Sequence, residues 1–219
     1  MGLVKQHAIE KLKKLDAASI SDAMDKLGIV GGVLGVQAVS KCKTICGPAY
    51  TVKYVPCGED KGTVGDFLDE VEAGQVVVID NDGRTDCTVW GDIMSLYATI
   101  NNVEGTIIDG VCRDIPAIEE LNYPIFTKGQ FMVTGKERVE VLYINKPVNI
   151  SNVKVCSGDI VFGDATGVLI IPQNRVDEII ETAEMIEEKE ELIRKSLKEG
   201  MTLKEAREKL GYHTLQSKQ

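Results

Sequence analysis

The chain has 219 residues, which suits one large domain or one domain with an appended segment, and a stable core of this size needs no disulfide or structural metal. Hydrophobic residues make up 43% of the chain and charged residues 27%, as in ordinary globular proteins. The formal net charge of -9 disfavours nucleic acid as a direct partner, because an acidic surface repels phosphate.

Two short helices are predicted at the N-terminus. Apolar residues at helical spacing indicate an amphipathic helix over residues 3–15. Ser19 is predicted to cap a second helix over 20–27, with Asp22 in its first turn and Gly28 just past its end.

The middle of the chain predicts alternating strands and helices. Two continuous apolar runs, 76–80 and 106–110, are typical of strands buried on both faces, and residues 89–101 between them predict a helix. Together they predict a β–α–β unit. Shorter elements are predicted as strands at 36–39, 49–55 and 125–126 and as helices at 62–72 and 115–121. Gly47-Pro48 is expected to interrupt regular structure just before the strand at 49–55.

The second half predicts strands followed by helix. The strands are expected at 139–144, 148–150, 159–163 and 168–172. We therefore expect an α/β fold in which residues 1–175 form the main domain and 176–219 form a C-terminal helical extension. The thin apolar stripe of this extension suits either a solvated helix held by ion pairs or an arm that lies across a neighbouring subunit.

Several site classes are disfavoured by the sequence. The six cysteines form no C-x-x-C pair, and His7 and His213 are the only imidazoles, so neither a zinc site nor a disulfide framework is expected. No signal-peptide segment and no apolar run of about 18 residues occurs, so we expect a cytoplasmic protein with no membrane partner. A Ser-His-Asp set, a P-loop and a dinucleotide-binding glycine motif are also missing.

The most suggestive polar residues follow the second buried strand. Asp109-Gly-Val-Cys-Arg113-Asp114 ends this strand, and a helix with Pro116 in its first turn begins behind it. Ligands of α/β sheets bind beyond the carboxyl ends of strands. Arg113 offers a planar fork for a carboxylate, and Asp114 offers oxygen to a divalent cation. The alternative is a surface salt bridge with an aspartate that caps the helix.

A second polar element is Trp90-Gly91-Asp92-Ile93-Met94, at the predicted start of a helix. Because Gly91 precedes the helix, the amides of the next three residues should be free to receive a carboxylate or enolate oxygen. Asp92 suits the role of a general base, or it only caps the helix.

These residues and several further motifs resemble the RraA-like family. This family includes 4-hydroxy-4-methyl-2-oxoglutarate/4-carboxy-4-hydroxy-2-oxoadipate aldolases, the regulator of ribonuclease activity A, and members once misnamed demethylmenaquinone methyltransferases. The resemblance implies an RraA-like mixed α/β/β/α sandwich with a swivelling-domain-like β core and a C-terminal helical extension. The motifs that carry it are Ser19-Ile-Ser-Asp-Ala-Met-Asp-Lys-Leu-Gly28, Gly47-Pro-Ala-Tyr-Thr-Val52, Trp90-Gly91-Asp92, Ile108-Asp-Gly-Val-Cys-Arg-Asp114, Ser157-Gly-Asp-Ile-Val-Phe-Gly-Asp-Ala-Thr-Gly-Val168 and Glu187…Glu190…Arg194…Gly200.

The resemblance also implies residue roles. Arg113 would bind the 2-oxo acid end of the substrate and stabilise its enolate. The substrate carboxylate and enolate would lie at the start of the helix, at Gly91, Asp92, Ile93 and Met94.

The same resemblance implies a metal and a multi-subunit assembly. Asp114 would be the one direct protein ligand of Mg²⁺ or Mn²⁺, and Asp92 would orient or deprotonate a water on that ion. Family members form trimers, often paired into hexamers, so a homotrimer or hexamer is expected. An acidic residue from a neighbouring subunit would correspond to Glu190 or Glu187.

The implied function is that of a metal-dependent class II pyruvate aldolase that also decarboxylates oxaloacetate, with a small 2-oxo acid as substrate. Both reactions pass through the enolate of pyruvate, which a cation and an arginine stabilise. The alternative is a non-catalytic, protein-binding regulator of ribonuclease activity, but the enterobacterial regulator has Gln at the position of Asp114. A third hypothesis is a different small-molecule enzyme on the same scaffold. Methyl transfer is disfavoured, because no glycine-rich motif for a nucleoside cofactor occurs.

Overall fold

The computed structural model of the protein describes residues 3–39, 43–59 and 62–212. His213 and Cys42 therefore lie outside the described residues. The helices are α1 (Leu3–Leu12), α2 (Ala17–Lys26), α3 (Asp92–Ile100), α4 (Ile115–Glu120), α5 (Val176–Lys198) and α6 (Leu203–Leu210), with a short 3₁₀ helix at Asp66–Glu70. The strands are β1 (Gly32–Val33), β2 (Gln37–Ala38), β3 (Ile45–Pro56), β4 (Val76–Thr88), β5 (Gly105–Cys112), β6 (Ile125–Gln130), β7 (Val139–Ile144), β8 (Val148–Ile150), β9 (Val153–Val155), β10 (Ile160–Gly163) and β11 (Val168–Ile171).

The chain forms two compact units. Met1–Gly31 and Asn174–Gln219 make a helical unit, and Gly32–Gln173 makes the α/β unit that contains every described strand. The junction between Gln173 and Asn174 lies close to the boundary predicted at residue 175. The N-terminal helices belong to the same unit as the C-terminal ones.

A large mixed sheet forms the frame of the α/β unit. Its order is β1-β11-β10-β3-β4-β5-β6-β2, and β7 pairs with the second half of β3. Strands β3, β4, β5 and β6 are parallel neighbours, whereas β10 pairs antiparallel with β3. The predicted β–α–β unit is confirmed, because β4 and β5 pair in parallel and α3 connects them.

The parallel strands are buried on both faces, which explains their unbroken apolar runs. On β4, Val77 and Ile79 pack into one hydrophobic cluster, whereas Val76 and Val78 pack into another. Because successive side chains of a strand point to opposite faces, the two clusters lie on opposite sides of the sheet.

Ion pairs connect the four parallel strands where the regular register between β4 and β5 ends. Lys53 Nζ lies 2.8 Å from Asp80 Oδ1, and Lys128 Nζ lies 2.5 Å from Asp109 Oδ1. Asp80 and Asp109 are register partners on β4 and β5. Each carboxylate also accepts a hydrogen bond from the backbone of the β8–β9 hairpin, so this part of the sheet is held rigidly.

Glycines explain two differences from the predicted elements. Gly47-Pro48 does not interrupt regular structure but lies inside β3. Gly47 fits there because it has no side chain to collide with the carbonyl of Gly74. The helix predicted over 62–72 is reduced to the short 3₁₀ helix, which begins after Gly65 with φ of 105°.

Two further differences come from short polar residues. Asp16, not Ser19, caps α2: its Oδ1 accepts from Ser19 N at 2.7 Å. Ser151 and Asn152 both have positive φ and make the tight turn into β9, a strand that the sequence pattern did not reveal.

The helical unit is built around α5. This helix buries an apolar face that includes Ile179, Ile186 and Ile193. A reciprocal capping box between Thr202 and Glu205 starts α6. Among the described residues, no helix combines the length and the apolar character that crossing a bilayer requires.

Candidate active site

A small cavity opens where β4 and β5 end. Its volume is about 200 Å³, below the roughly 300–1,000 Å³ of pockets for drug-sized ligands, so it suits a small molecule. Its walls come from the end of β4 and the segment that follows it, the residue after β5, the loop after β6, and Val64 ahead of the 3₁₀ helix. The lining residues are Val64, Thr88, Trp90, Gly91, Asp92, Ile93, Met94, Arg113, Thr134 and Lys136.

Gly91 lets two chain segments approach closely at this cavity. It is the N-cap residue of α3, with an extended backbone (φ -155°) that any residue can adopt. A Cβ atom at Gly91 would lie 2.5 Å from Asp114 Oδ2 and 3.4 Å from Arg113 Nε. The requirement for glycine is therefore one of space beside these two side chains.

Asp114 has a left-handed backbone, with φ of 62° and ψ of 37°. Such a conformation costs a non-glycine residue about 1–2 kcal/mol, and strain of this kind is concentrated at functional sites. Its side chain makes no capping bond to α4 but instead accepts a hydrogen bond from Asp92 N at 3.2 Å. Asp114 therefore occupies the N-cap position of α4, as the alternative expects, but its side chain makes no capping bond.

Arg113 lies beside this carboxylate at the end of β5. Its Nε atom is 3.3 Å from Asp114 Oδ2, and both side chains remain more than a third exposed. The salt bridge that the alternative predicts is therefore present, and Arg113, one of its partners, lines the cavity. Arg113 N donates to Trp90 O at 3.1 Å, and Phe131 N donates to Cys112 O at 2.9 Å, so backbone bonds hold the strand end on both sides.

The first two amides of α3 already donate hydrogen bonds to carboxylates of the protein. Asp92 N donates to Asp114, and Ile93 N donates to Asp92 Oδ1 at 2.8 Å. The expectation that these two amides are free is therefore wrong, because short acidic side chains satisfy them. A substrate carboxylate at this place would compete with Asp114 for Asp92 N and with the Asp92 side chain for Ile93 N.

Trp90 fixes the segment that leads into α3. Its indole stacks on Tyr123 with ring centroids 5.9 Å apart, and both rings are buried. Trp90 Nε1 donates to Ser95 Oγ at 2.8 Å, and Ser95 Oγ donates to Gly91 O at 2.9 Å. This chain of bonds holds the backbone of Gly91 in place.

A cysteine next to the site is chemically inert. Burial raises the pKa of the Cys112 thiol to about 11. The thiol is therefore protonated at neutral pH and is not a nucleophile, since only the thiolate attacks.

The structure adds lining residues that the sequence analysis missed. Thr88, Thr134 and Lys136 line the cavity, although the last two follow Arg113 by more than twenty positions. Thr88 ends β4, whereas Thr134 and Lys136 lie in the loop after β6, where Thr134 forms an isolated bridge with Thr88. No local sequence pattern marks residues of such a loop as neighbours of a site.

Glu187 and Glu190 lie on α5, in the helical unit. Arg194 pairs with both, and Ser19 Oγ donates to Glu187 Oε2 at 2.8 Å. Both oxygens of Glu187 are thus engaged, and Glu190 Oε2 lies 3.3 Å from Arg194 Nη1.

The donor set limits which metal could bind. Within the described part of the chain, no group of three or more His, Cys, Asp or Glu side chains is arranged to hold an ion. Two carboxylates lie at the cavity: Asp92 lines it, and Asp114 is partly exposed beside it. This arrangement fits Mg²⁺, which usually keeps several waters and takes one or two carboxylates.

Known proteins with a similar sequence and fold identify the family of this chain. The profile of the RraA-like family (Aldolase/RraA) matches residues 17–170, so the chain belongs to this family. A crystal structure of an uncharacterized protein from Pseudomonas syringae pv. tomato is similar, with a TM-score of 0.86, 38% identity, and coverage of 92% of this chain and 97% of that one.

Two relatives are close in sequence. Protein DlpA of Legionella pneumophila is 41% identical over 208 residues, which are 93% of this chain and 34% of DlpA. This chain thus spans about a third of DlpA. A Halalkalibacterium halodurans protein named "Putative 4-hydroxy-4-methyl-2-oxoglutarate aldolase" is 31% identical, with coverage of 80% of this chain and 81% of that protein.

Proposed function

We propose that the protein is a divalent-metal-dependent class II pyruvate aldolase, similar to 4-hydroxy-4-methyl-2-oxoglutarate aldolase, that also decarboxylates oxaloacetate. The observation that carries this proposal is that Arg113 and the start of α3 line one small cavity, and that Asp114 contacts both of them beside it. The family membership and the Halalkalibacterium halodurans relative support the same reaction class.

The reaction explains why an arginine is needed there. Cleavage of the C3–C4 bond of a 4-hydroxy-2-oxo acid leaves the electron pair on the pyruvate fragment, as an enolate with its charge on the 2-oxo oxygen. Loss of CO₂ from oxaloacetate gives the same enolate. Arg113 would bind the 2-oxo acid end and donate to the oxygen that gains charge, which stabilises the transition state more than the ground state.

Asp114 and Asp92 would supply the two carboxylates of the mechanism. Asp114 would hold Mg²⁺ or Mn²⁺, which supplies a Lewis acid for the 2-oxo oxygen when bound. Asp92 is exposed at the cavity, and its Oδ1 accepts from Ile93 N. Its carboxylate would take the proton of the C4 hydroxyl, directly or through a water, as the C3–C4 bond breaks.

The test is pyruvate production from oxaloacetate and from 4-hydroxy-2-oxo acids, with Mg²⁺ and with a chelator. We expect turnover only with the metal. Arg113→Ala and Asp114→Ala should each lower kcat/KM by about 10²–10³ or more, as loss of a transition-state donor does. Arg84→Ala is the matched control, because Arg84 pairs with Asp86 on the surface and lines no part of the cavity. Absence of turnover with either substrate class at saturating metal would contradict the proposal.

We also propose that the protein works as a homotrimer or hexamer. The outer face of α3 supports assembly, because it exposes a row of large apolar side chains at helical spacing beside the cavity. These are Ile93, Leu96, Tyr97 and Ile100, exposed by 78%, 48%, 39% and 68%. A patch of this kind is typical of a protein interface.

Sedimentation tests the assembly. Ile100→Asp should dissociate it, whereas Leu142→Asp, at an exposed apolar residue on β7, should not. A neighbouring subunit's acid, Glu190 or Glu187, would complete the site. Mixing Arg113→Ala chains with Glu190→Ala chains should then restore activity, and a fully active monomer would exclude a shared site.

A further inference from the structure

One side of α5 is exposed in the part of the chain that the structure describes. We call this side the outer face of α5, and its residues repeat at intervals of four and three positions, as residues on one side of a helix do. They are Glu181, Met185, Glu188, Leu192 and Lys195. In the middle of this face, Met185 and Leu192 are exposed by 53% and 51%. Apolar side chains seven residues apart in a row of charges are typical of a helix that packs on another helix.

The charges of α5 are divided unequally along its length. Residues 176–188 include six acidic side chains and no basic one, whereas residues 189–198 include four basic and two acidic ones. At the border between these halves, Glu188 and Lys189 are both exposed, and neither forms an ion pair with another described residue. Each half of the helix therefore complements the other half of a second copy, provided that the two helices run in opposite directions.

The apolar pair fixes the register of such a contact. The midpoint between Met185 and Leu192 falls between Glu188 and Lys189. When Met185 of one copy packs on Leu192 of the other, the two-fold axis passes through this midpoint. Glu188 of each copy then faces Lys189 of the other. A parallel contact would instead place Glu188 on Glu188, and the like charges would repel each other.

We propose that the outer face of α5 is a docking surface for a second copy of this chain, with the two α5 helices antiparallel about a two-fold axis. Glu181 of each copy then lies near Lys195 of the other, which adds opposite charges on both sides of the axis. This contact belongs to the helical unit and does not depend on the proposed reaction. Because the apolar area is small and the charges are exposed, the association depends on protein concentration and weakens as salt is added.

Charge reversal and mixing test the contact by sedimentation. Glu188→Lys brings a lysine opposite Lys189, and Lys189→Glu brings a glutamate opposite Glu188. Each variant alone should therefore have half the mass of the wild-type assembly, with an association constant lower by about tenfold or more. In an equal mixture of the two variants, the new lysine of one chain faces the new glutamate of the other, and the two native residues also face each other. The mixture should regain the wild-type mass.

Lys198→Glu is the matched control. Lys198 is exposed on the same helix but lies nine residues beyond Lys189, which is about two and a half turns, so it is on the opposite side. The substitution changes the net charge as Lys189→Glu does and should leave the mass of the assembly unchanged. Leu192→Lys places a charge at the apolar centre of the face and should halve the mass.

The mixture distinguishes a lost contact from a damaged fold, because only folded chains can rejoin. Single variants that keep the wild-type mass, or a mixture that stays at half of it, would overturn the proposal. So would a wild-type protein with the same mass as Glu188→Lys. The result is independent of the assembly proposed at α3: with Ile100→Asp in every chain, the two charge variants should still separate the copies, and mixing them should still rejoin the copies.

Discussion

Replacing Gly91 by alanine should separate activity from stability. The extended backbone of Gly91 accepts alanine, so no conformational strain is added. The new Cβ would lie 2.5 Å from Asp114 Oδ2, whereas carbon–oxygen contacts are normally above about 3 Å. The carboxylate must therefore move by roughly 0.5–1 Å.

The expected effect on catalysis is large, because a displacement of about 1 Å at a reacting group can cost about 10²-fold in rate. We expect kcat/KM of Gly91→Ala to fall by about 10- to 100-fold. The free energy of unfolding should change by less than about 1 kcal/mol, because the partly exposed carboxylate can rotate away.

Steady-state kinetics with oxaloacetate and urea unfolding of the same preparations measure the two effects. Gly167→Ala is the matched control, since a Cβ at Gly167 meets no atom within 4 Å. In the background of Asp114→Ala, Gly91→Ala should cost no further stability, because the group it collides with is gone. Undiminished activity of Gly91→Ala, or an equal loss in Gly167→Ala, would refute this account of the close approach.

Two further predictions concern the structure around the site. The Cys112 thiol has its pKa raised from 9.0 to about 11 by burial, so the unfolded chain ionises first and stability should fall as pH rises from 9 to 11. We expect the free energy of unfolding to fall by roughly 2–3 kcal/mol over this range, which urea unfolding at several pH values would test. Cys112→Ala should flatten this pH dependence, and an unchanged pH dependence in the variant would refute the role of the thiol. Ser95→Ala leaves the buried Trp90 Nε1 without its acceptor and should destabilise the fold by about 1–3 kcal/mol, in contrast to Ser196→Ala on the exposed side of α5. Equal stabilities of the two serine variants would contradict the bridging role of Ser95.

The short-range patterns of the sequence were sufficient for the order of the main elements. Strands buried on both faces have continuous apolar runs, so β4 and β5 were predicted with α3 between them. Because ligands bind beyond the carboxyl ends of such strands, Arg113 and Asp114 could be selected as candidates before their positions were known. The motif resemblance then indicated the family, which the profile match confirms.

The tertiary structure decided which groups meet at the cavity and what each one contacts. Asp114 turns toward α3 because its left-handed backbone directs the side chain away from its own helix, and Asp92 N then donates to it. Lys136 joins the cavity only because its loop packs on the end of β4. Sequence patterns report the local backbone and the buried face of each element, whereas contacts between distant segments depend on packing that no local spacing encodes.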